Sequence, residues 1–504
     1  MFSQLFRLSS QSFIYGLGVA ASQIVGFFLI PLYTRYLTPS DYGVWQIISV
    51  TSSVLSIIFA MGISSALFRS YFLYDQAEKK KMVVSTAFIY LTGTSAILSV
   101  LLIGFAGKFS LLLFHSDQYI FYFRLVFLAL FCDTGTQIGM SVFRAREEPF
   151  RYIVVSVARV LISLGLNIVF VVVLHKGVLG ILESSAITAA VIYLWLVLSV
   201  IRKAGFGFSP DELKRMLAFG LPMVPAGLAA SAIFFADRYF LQFLSTSAEL
   251  GLYSLGYSFG LVVEALLVEP FLVAWGPFAF SIYRQPDARQ TFSRIFTYFV
   301  LVTVFVSLAL SVLSKEILAI MATPAFHAAY KVIPLIAVSY VLNGCYNILG
   351  VGISLEAKTK YWFPIMGAAA IVNIGLNYLL IPDFGMMGAA VAALASFLVM
   401  AILGFIISQR LYPVKHEWGR VAKIVIAAGV IFAGSLFIHY DESTIITGVF
   451  KLLTLLAFPV LLYLLRFYHP EEIQKIKEVI KASPGYLKQR LLRRPAVSKG
   501  SNNN

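Results

Sequence analysis

Asp41-Tyr-Gly-Val-Trp-Gln-Ile47 opens one long apolar run, and Glu249-Leu-Gly-Leu-Tyr-Ser-Leu255 opens another about 210 residues later. Both follow the order acid, apolar, glycine, apolar, aromatic, polar, apolar. Two further pairs share the offset. Leu164-Gly-Leu-Asn167 with Gly177-Val-Leu-Gly180 matches Ile374-Gly-Leu-Asn377 with Gly385-Met-Met-Gly388, and Arg144-Ala-Arg146 matches Glu356-Ala-Lys358. Chance similarity is common in apolar sequence, so no single pair decides anything. Three collinear pairs at one offset indicate a duplicated chain.

The repeats sit in a chain that is 59% hydrophobic and 12% charged, with mean hydropathy +0.86. Soluble domains carry about 25% charged residues, so the solvent for most of this surface is lipid. Apolar runs fall at approximately 13–31, 43–68, 82–107, 119–143, 150–174, 178–201, 213–241, 250–281, 291–314, 330–355, 361–381, 385–408, 420–438 and 445–466. Each is long enough to cross a bilayer as a helix and too long for a barrel strand. An unpaired backbone in hydrocarbon is too costly to allow anything else. The expectation is an all-α polytopic membrane protein of about 14 spans. The first run, closed by Pro31, is long for a cleavable leader and reads as span one.

Alternate loops are basic. Arg69 with Lys79–Lys81, then Arg144, Arg146 and Arg151, then Arg202, Lys203, Lys214 and Arg215 lie on one side, and the alternation continues to Lys423. The positive-inside rule places both termini in the cytoplasm. The repeat offset spans six helices, an even number, so the halves share one orientation. The expected organisation is an N-lobe at 1–208, a C-lobe at 209–410, spans thirteen and fourteen at 411–467, and a basic tail at 468–504. Ser209-Pro-Asp-Glu212 at the join reads as a helix cap with proline at the first helical position. In the tail, Ile473, Ile476, Val479 and Ile480 form one side of an amphipathic helix suited to an anionic lipid surface or to solvent.

The net charge of +15 does not indicate nucleic-acid binding, because the basic residues sit in loops where topology requires them. Cys132 and Cys345 lie in apolar runs and read as small core residues. Six scattered histidines give no metal spacing, and no phosphate-binding glycine loop accompanies them. Neither a cofactor, a catalytic site nor ATP hydrolysis in this chain is expected.

Ionisable groups inside spans are the informative ones, because each costs roughly 2.5–3.5 kcal/mol at a helix centre. Arg35, Arg124, Arg159 and Arg238 are candidates for binding an anionic headgroup; pairing or snorkelling is the structural alternative. Asp133, Glu183, Asp237, Glu264 and Glu269 are candidates for coupling an ion or binding hydroxyls, or else for interhelical ion pairs. Asn343, Asn347, Asn373 and Asn377 read as interhelical hydrogen-bonding groups. Gly220, Pro222, Pro225 and Gly227 predict a kinked or broken span seven, a hinge.

Pro31-Leu-Tyr-Thr-Arg-Tyr-Leu-Thr-Pro-Ser-Asp-Tyr-Gly43 resembles the opening signature of Wzx-type polysaccharide-repeat flippases. Ala236-Asp-Arg-Tyr-Phe240 followed by Glu249-Leu-Gly-Leu-Tyr253 is similar to its second-half counterpart. These flippases belong to the multidrug/oligosaccharidyl-lipid/polysaccharide exporter superfamily. The resemblance covers the layout of all fourteen spans and is sharp in these two segments. It implies two six-helix lobes in a V, with spans one, two, seven and eight around a central cavity. A polyprenyl-pyrophosphate-linked oligosaccharide would be moved from the cytoplasmic to the outer leaflet of a bacterial inner membrane. It further implies a groove for the lipid tail at spans thirteen and fourteen, and a polysaccharide polymerase and chain-length regulator as partners. The arginine-aspartate signature of lipid II flippases is absent from the first span. A multidrug exporter of the same superfamily and a scaffold of a glycan-assembly complex are the competing readings.

Overall fold

The computed structural model describes residues 26–27, 29–437, 444–470 and 472. Most of span one and the amphipathic tail beyond Glu472 lie outside the described residues. Among those residues, twelve helices are long and apolar enough to cross a membrane. They are span two (Pro39–Phe72), three (Ala77–Gly104), four (Asp117–Ala145), five (Pro149–Val173), six (Gly177–Val200), seven (Pro210–Leu244), eight (Ser247–Ile282), nine (Ala288–Val312) and ten (Ile333–Leu355). Thr359–Leu411 follows, then thirteen (Trp418–Ser435) and fourteen (Thr447–Leu464).

Thr359–Leu411 has 53 residues, or about 80 Å at 1.5 Å per residue, against a hydrocarbon core of about 30 Å. It breaks at Gly385, whose φ of 51° and ψ of −130° are non-helical. It therefore holds spans eleven and twelve, and the break falls where the sequence separates its two apolar runs. Among the described residues this makes thirteen spans; the first apolar run, expected as the fourteenth, lies largely outside them.

In the N-lobe, span four packs between spans three and six; in the C-lobe, span ten packs against eight and twelve. Lipid tails are as apolar as leucine, so close packing rather than the hydrophobic effect drives helix association. Small residues make the approach possible. A methyl on Gly139 would press on Leu196 at 3.0 Å, and one on Gly260 would meet Ile336 at 2.6 Å. The matching sequence segments make matching contacts. Gly180 lies over the Phe170 carbonyl and Gly388 over the Leu380 carbonyl, at 2.9 and 2.6 Å from an added methyl. Asn167 Nδ2 donates to Ser184 at 2.9 Å, and Asn373 Nδ2 to Ser396 at 2.9 Å. Asn373 thus ties helix to helix as expected, whereas Asn377 donates to Asn373 and Asn347 to the Asn343 carbonyl, each within its own helix.

Spans thirteen and fourteen pack on each other and against span nine, at the outer flank of the C-lobe. Arg420 fastens their basic-face end. It pairs with Glu417 at 3.1 Å and with Glu472 at 3.0 Å, and its guanidinium lies 4.3 Å over the Phe467 ring.

Candidate functional site

The two lobes meet along spans two, seven and eight, the helices expected around a central cavity. Thr38 caps span two through a reciprocal pair with Asp41, and Thr246 caps span eight by accepting from the Glu249 N–H at 3.2 Å. These caps bring the repeated glycines together. A methyl on Gly43 would fall inside contact distance of the Ser247 carbonyl oxygen, and one on Gly251 inside that of the Pro39 carbonyl oxygen. The two repeat motifs thus close the seam backbone to backbone at the face opposite the basic loops. Glu249 continues the closure inside the C-lobe: its Oε2 accepts the Met386 N–H at 2.6 Å, just after the Gly385 break.

Toward the basic face the seam closes again. Span two turns at Met61 and Gly62, both left-handed, a position that favours glycine at the second residue. Span seven breaks after Gly220, with its two helical segments at Pro210–Gly220 and Met223–Leu244. The breaks touch: a methyl on Gly220 would lie 2.6 Å from the Met61 carbonyl oxygen. Pro222 and Pro225 remove backbone donors at this turn, and the break expected in span seven is present here. Gly227, one turn on, lies against Ile57. An open concavity of about 500 Å³ follows the first segment of span seven, between Leu213, Leu217, Leu221 and Pro222, with Lys214 at its basic end.

Below these breaks a polar latch joins the lobes. The Tyr74 hydroxyl donates to Glu212 Oε1 at 2.5 Å, and Arg215 Nη1 donates to that hydroxyl at 2.6 Å and to Glu212 at 3.1 Å. Hydrogen bonding to the Glu212 carboxylate, and then lost solvation, raises the Tyr74 pKa, so it stays a donor at neutral pH. Ser209 caps span seven and Pro210 begins it, as the sequence predicts.

The intramembrane charges divide into groups. Arg159 Nη2 reaches Asp133 Oδ1 at 2.7 Å between spans five and four, and the pair remains partly exposed. Asp237 and Arg238 are instead interior to the C-lobe, 1% and 5% exposed, and pair at 2.8 Å. Arg238 does not snorkel. Its guanidinium lies 3.9 Å over the Tyr257 ring, Tyr253 donates to Asp237, and Tyr340 donates to Tyr257 at 2.6 Å. Glu183 binds Lys176 at 2.6 Å rather than an arginine. Arg35, Arg124 and Glu269 are exposed.

Glu264 begins a π-helical turn, Glu264–Val268, in span eight. Asn343 Nδ2 donates to its Oε1 at 3.0 Å from span ten, while its Oε2 is buried without a partner among the described residues. A wide turn that presents a half-satisfied carboxylate recurs at functional sites.

Three features escaped the sequence reading. Lys451 in span fourteen pairs at 2.6 Å with Glu316 from the short helix Ser314–Met321, and both are buried. A lysine inside the last apolar run was the available signal. The Arg420 cluster looked like ordinary loop charge. The latch joins residues far apart in sequence that no local pattern connects. At the same basic face, His416 lies among Phe296, Phe405 and Trp418, and burial lowers its pKa to about 4.

Residues 32–273 match the family described as "Polysaccharide biosynthesis protein". The chain is 23% identical over 288 residues to "Lsg locus putative protein 1" of Haemophilus influenzae, which covers 55% of this chain and 67% of that protein. Among solved structures, the lipid II flippase MurJ in an inward closed conformation is similar with TM-score 0.74 and 14% identity, covering 90% of this chain and 99% of the other. An inward-facing multidrug resistance MATE family transporter of the MOP superfamily gives TM-score 0.63 and 16% identity over 77% of this chain and 94% of the other. An outward-facing multidrug resistance MATE family transporter of the MOP superfamily gives TM-score 0.56 and 14% identity over 79% of this chain and 95% of the other.

Proposed function

We propose that this chain is a polysaccharide-type member of the multidrug/oligosaccharidyl-lipid/polysaccharide exporter superfamily and that it flips a polyprenyl-pyrophosphate-linked oligosaccharide repeat unit of the O-antigen type. The movement runs from the cytoplasmic to the outer leaflet of a bacterial inner membrane, with both chain ends on the cytoplasmic side. The observation that carries this reading is the polysaccharide-biosynthesis match over residues 32–273, the stretch that supplies spans two, seven and eight to the seam. Sugar hydroxyls and pyrophosphate cannot enter hydrocarbon unaided, because each unsatisfied polar group costs several kcal/mol. A seam that opens at one face at a time shields them while the prenyl tail stays in lipid, and spans thirteen and fourteen provide a flank for that tail.

The roles follow from exposure and pairing. Arg35, Arg124 and Arg159 are open enough to meet an anionic headgroup. Arg238 acts through its buried cluster with Asp237, holding spans seven and eight together while the lobes rock. Glu264 takes a proton or cation at its unpartnered oxygen, and Asp133 and Glu269 bind hydroxyls. Glu183 steadies the outer end of span six through Lys176. The helix break at Gly220 and Pro222 is the hinge.

The test is leaflet exchange of a labelled polyprenyl-pyrophosphate oligosaccharide in proteoliposomes. Exchange faster than in protein-free vesicles, lost in Glu264→Gln and in Arg159→Ala, is the expected result. Folded protein that accelerates no such lipid but exchanges a cationic dye overturns the reading in favour of a multidrug antiporter, whose fold is similar.

A further inference from the structure

We infer that a cleft on the basic face of the N-lobe is a binding site for the phosphate group of an anionic membrane lipid. The cleft has a volume of about 340 Å³ and is lined by Tyr71, Ala77, Lys80, Lys81, Arg146 and Lys203. Its four cations come from three separate places: the start of span three, the connection between spans four and five, and the end of the span-six helix. Carboxylates answer two of them. Lys81 pairs with Glu78 at 2.8 Å, and Lys203 with Glu148 at 3.3 Å, an acid that Arg151 also engages at 2.9 Å. Lys80 and Arg146 have no carboxylate partner among the described residues. Lys80 Nζ instead lies 5.1 Å over the Tyr71 ring. Two uncompensated cations facing one concavity match a phosphate or pyrophosphate, and an arginine adds a planar fork for its oxygens.

The surroundings favour a phosphate carried on a lipid over a soluble one. Phe72, Leu73, Phe150 and Phe206, neighbours in sequence of the segments that line the cleft, are all exposed. Exposed aromatic and aliphatic groups beside a basic cleft suit the boundary between headgroups and acyl chains. The site is independent of what the transporter carries: an anionic bilayer phospholipid and a polyprenyl pyrophosphate present the same chemistry.

Native mass spectrometry of the full-length, detergent-purified protein tests this. The protein is incubated in turn with phosphatidylglycerol, a polyprenyl pyrophosphate, and phosphatidylcholine, whose phosphate is neutralised by its own choline. The expected result is retention of an anionic lipid that falls by about tenfold in Lys80→Gln and in Arg146→Gln. Retention should stay unchanged in Lys358→Gln/Lys360→Gln, which removes exposed bases from the C-lobe. Competition by inorganic pyrophosphate supports headgroup recognition, and the lipid retained better identifies the source. Thermal unfolding of each variant checks that the fold persists. Equal retention in the cleft variants and the C-lobe control, or equal retention of phosphatidylcholine, overturns the proposal. Leaflet exchange measured on the same variants is a separate readout, so failure of this site and failure of the flippase reading are distinguishable.

Discussion

Gly43 and Gly251 occupy equivalent places in the two halves, and each lies against the first turn of the other's helix. Only a residue without a side chain fits where two helix backbones meet this closely.

Substituting either glycine forces the lobes apart at this end. Gly43→Val and Gly251→Val are expected to slow leaflet exchange by at least about tenfold, equivalent to about 1.4 kcal/mol of barrier. Gly93→Val in span three, where an added methyl meets nothing within 4 Å, is the control. Exchange at the wild-type rate in Gly43→Val would remove the seam from the transport cycle.

The latch at the basic face predicts a local change. Tyr74→Phe deletes both hydrogen bonds of its hydroxyl. Hydrogen–deuterium exchange across residues 210–220 should then rise, with no change in spans thirteen and fourteen. Glu212→Gln should act in the same direction. Unchanged protection in both variants would mean that the touching helix breaks alone hold this end.

His416 gives a pH dependence with a defined sign. Its folded pKa is about 4 against about 6.5 when unfolded. Between these values the unfolded chain binds a proton that the fold excludes, so stability contributed by neutral His416 is fully present above pH 6.5 and is lost as pH falls toward 4. The melting temperature of detergent-solubilised protein should drop across that window, and His416→Phe should flatten the drop. An identical profile for the variant refutes the assignment.

Lys451→Met breaks a buried ion pair and strands the Glu316 carboxylate, whose Oε2 already has no partner among the described residues. Breaking such a pair costs about 3–5 kcal/mol, whereas replacing both partners by apolar residues is often neutral. Thermal unfolding should show a large loss in Lys451→Met and recovery in Lys451→Met/Glu316→Leu. Equal losses in the two would show that packing, not charge, is what the pair supplies.

The sequence revealed the described spans, the separation of two apolar runs at Gly385 and the break in span seven at Gly220 and Pro222. These are properties of single segments or of one segment compared with another. Candidate charges were legible as residues but not as partners. Asp133 and Arg159, 26 positions apart, were a pair the sequence permitted. Glu183 took Lys176 instead of an arginine. Arg238, an interfacial arginine by position, turned inward onto Tyr257.

What the sequence determined by itself follows from the solvent. In hydrocarbon every backbone group must be satisfied within its own helix, so apolar length, proline, glycine and the charge of the loops specify spans, breaks and orientation before any packing occurs. What only the tertiary structure decided depends on how far each helix is rotated about its axis. One residue is about 100° of rotation, so a neighbour's register determines whether a charge meets a partner, a ring, lipid or the seam. Glu264 beside Asn343, Lys451 beside Glu316 and Gly43 against Ser247 all depend on that register, which is set between helices rather than within them.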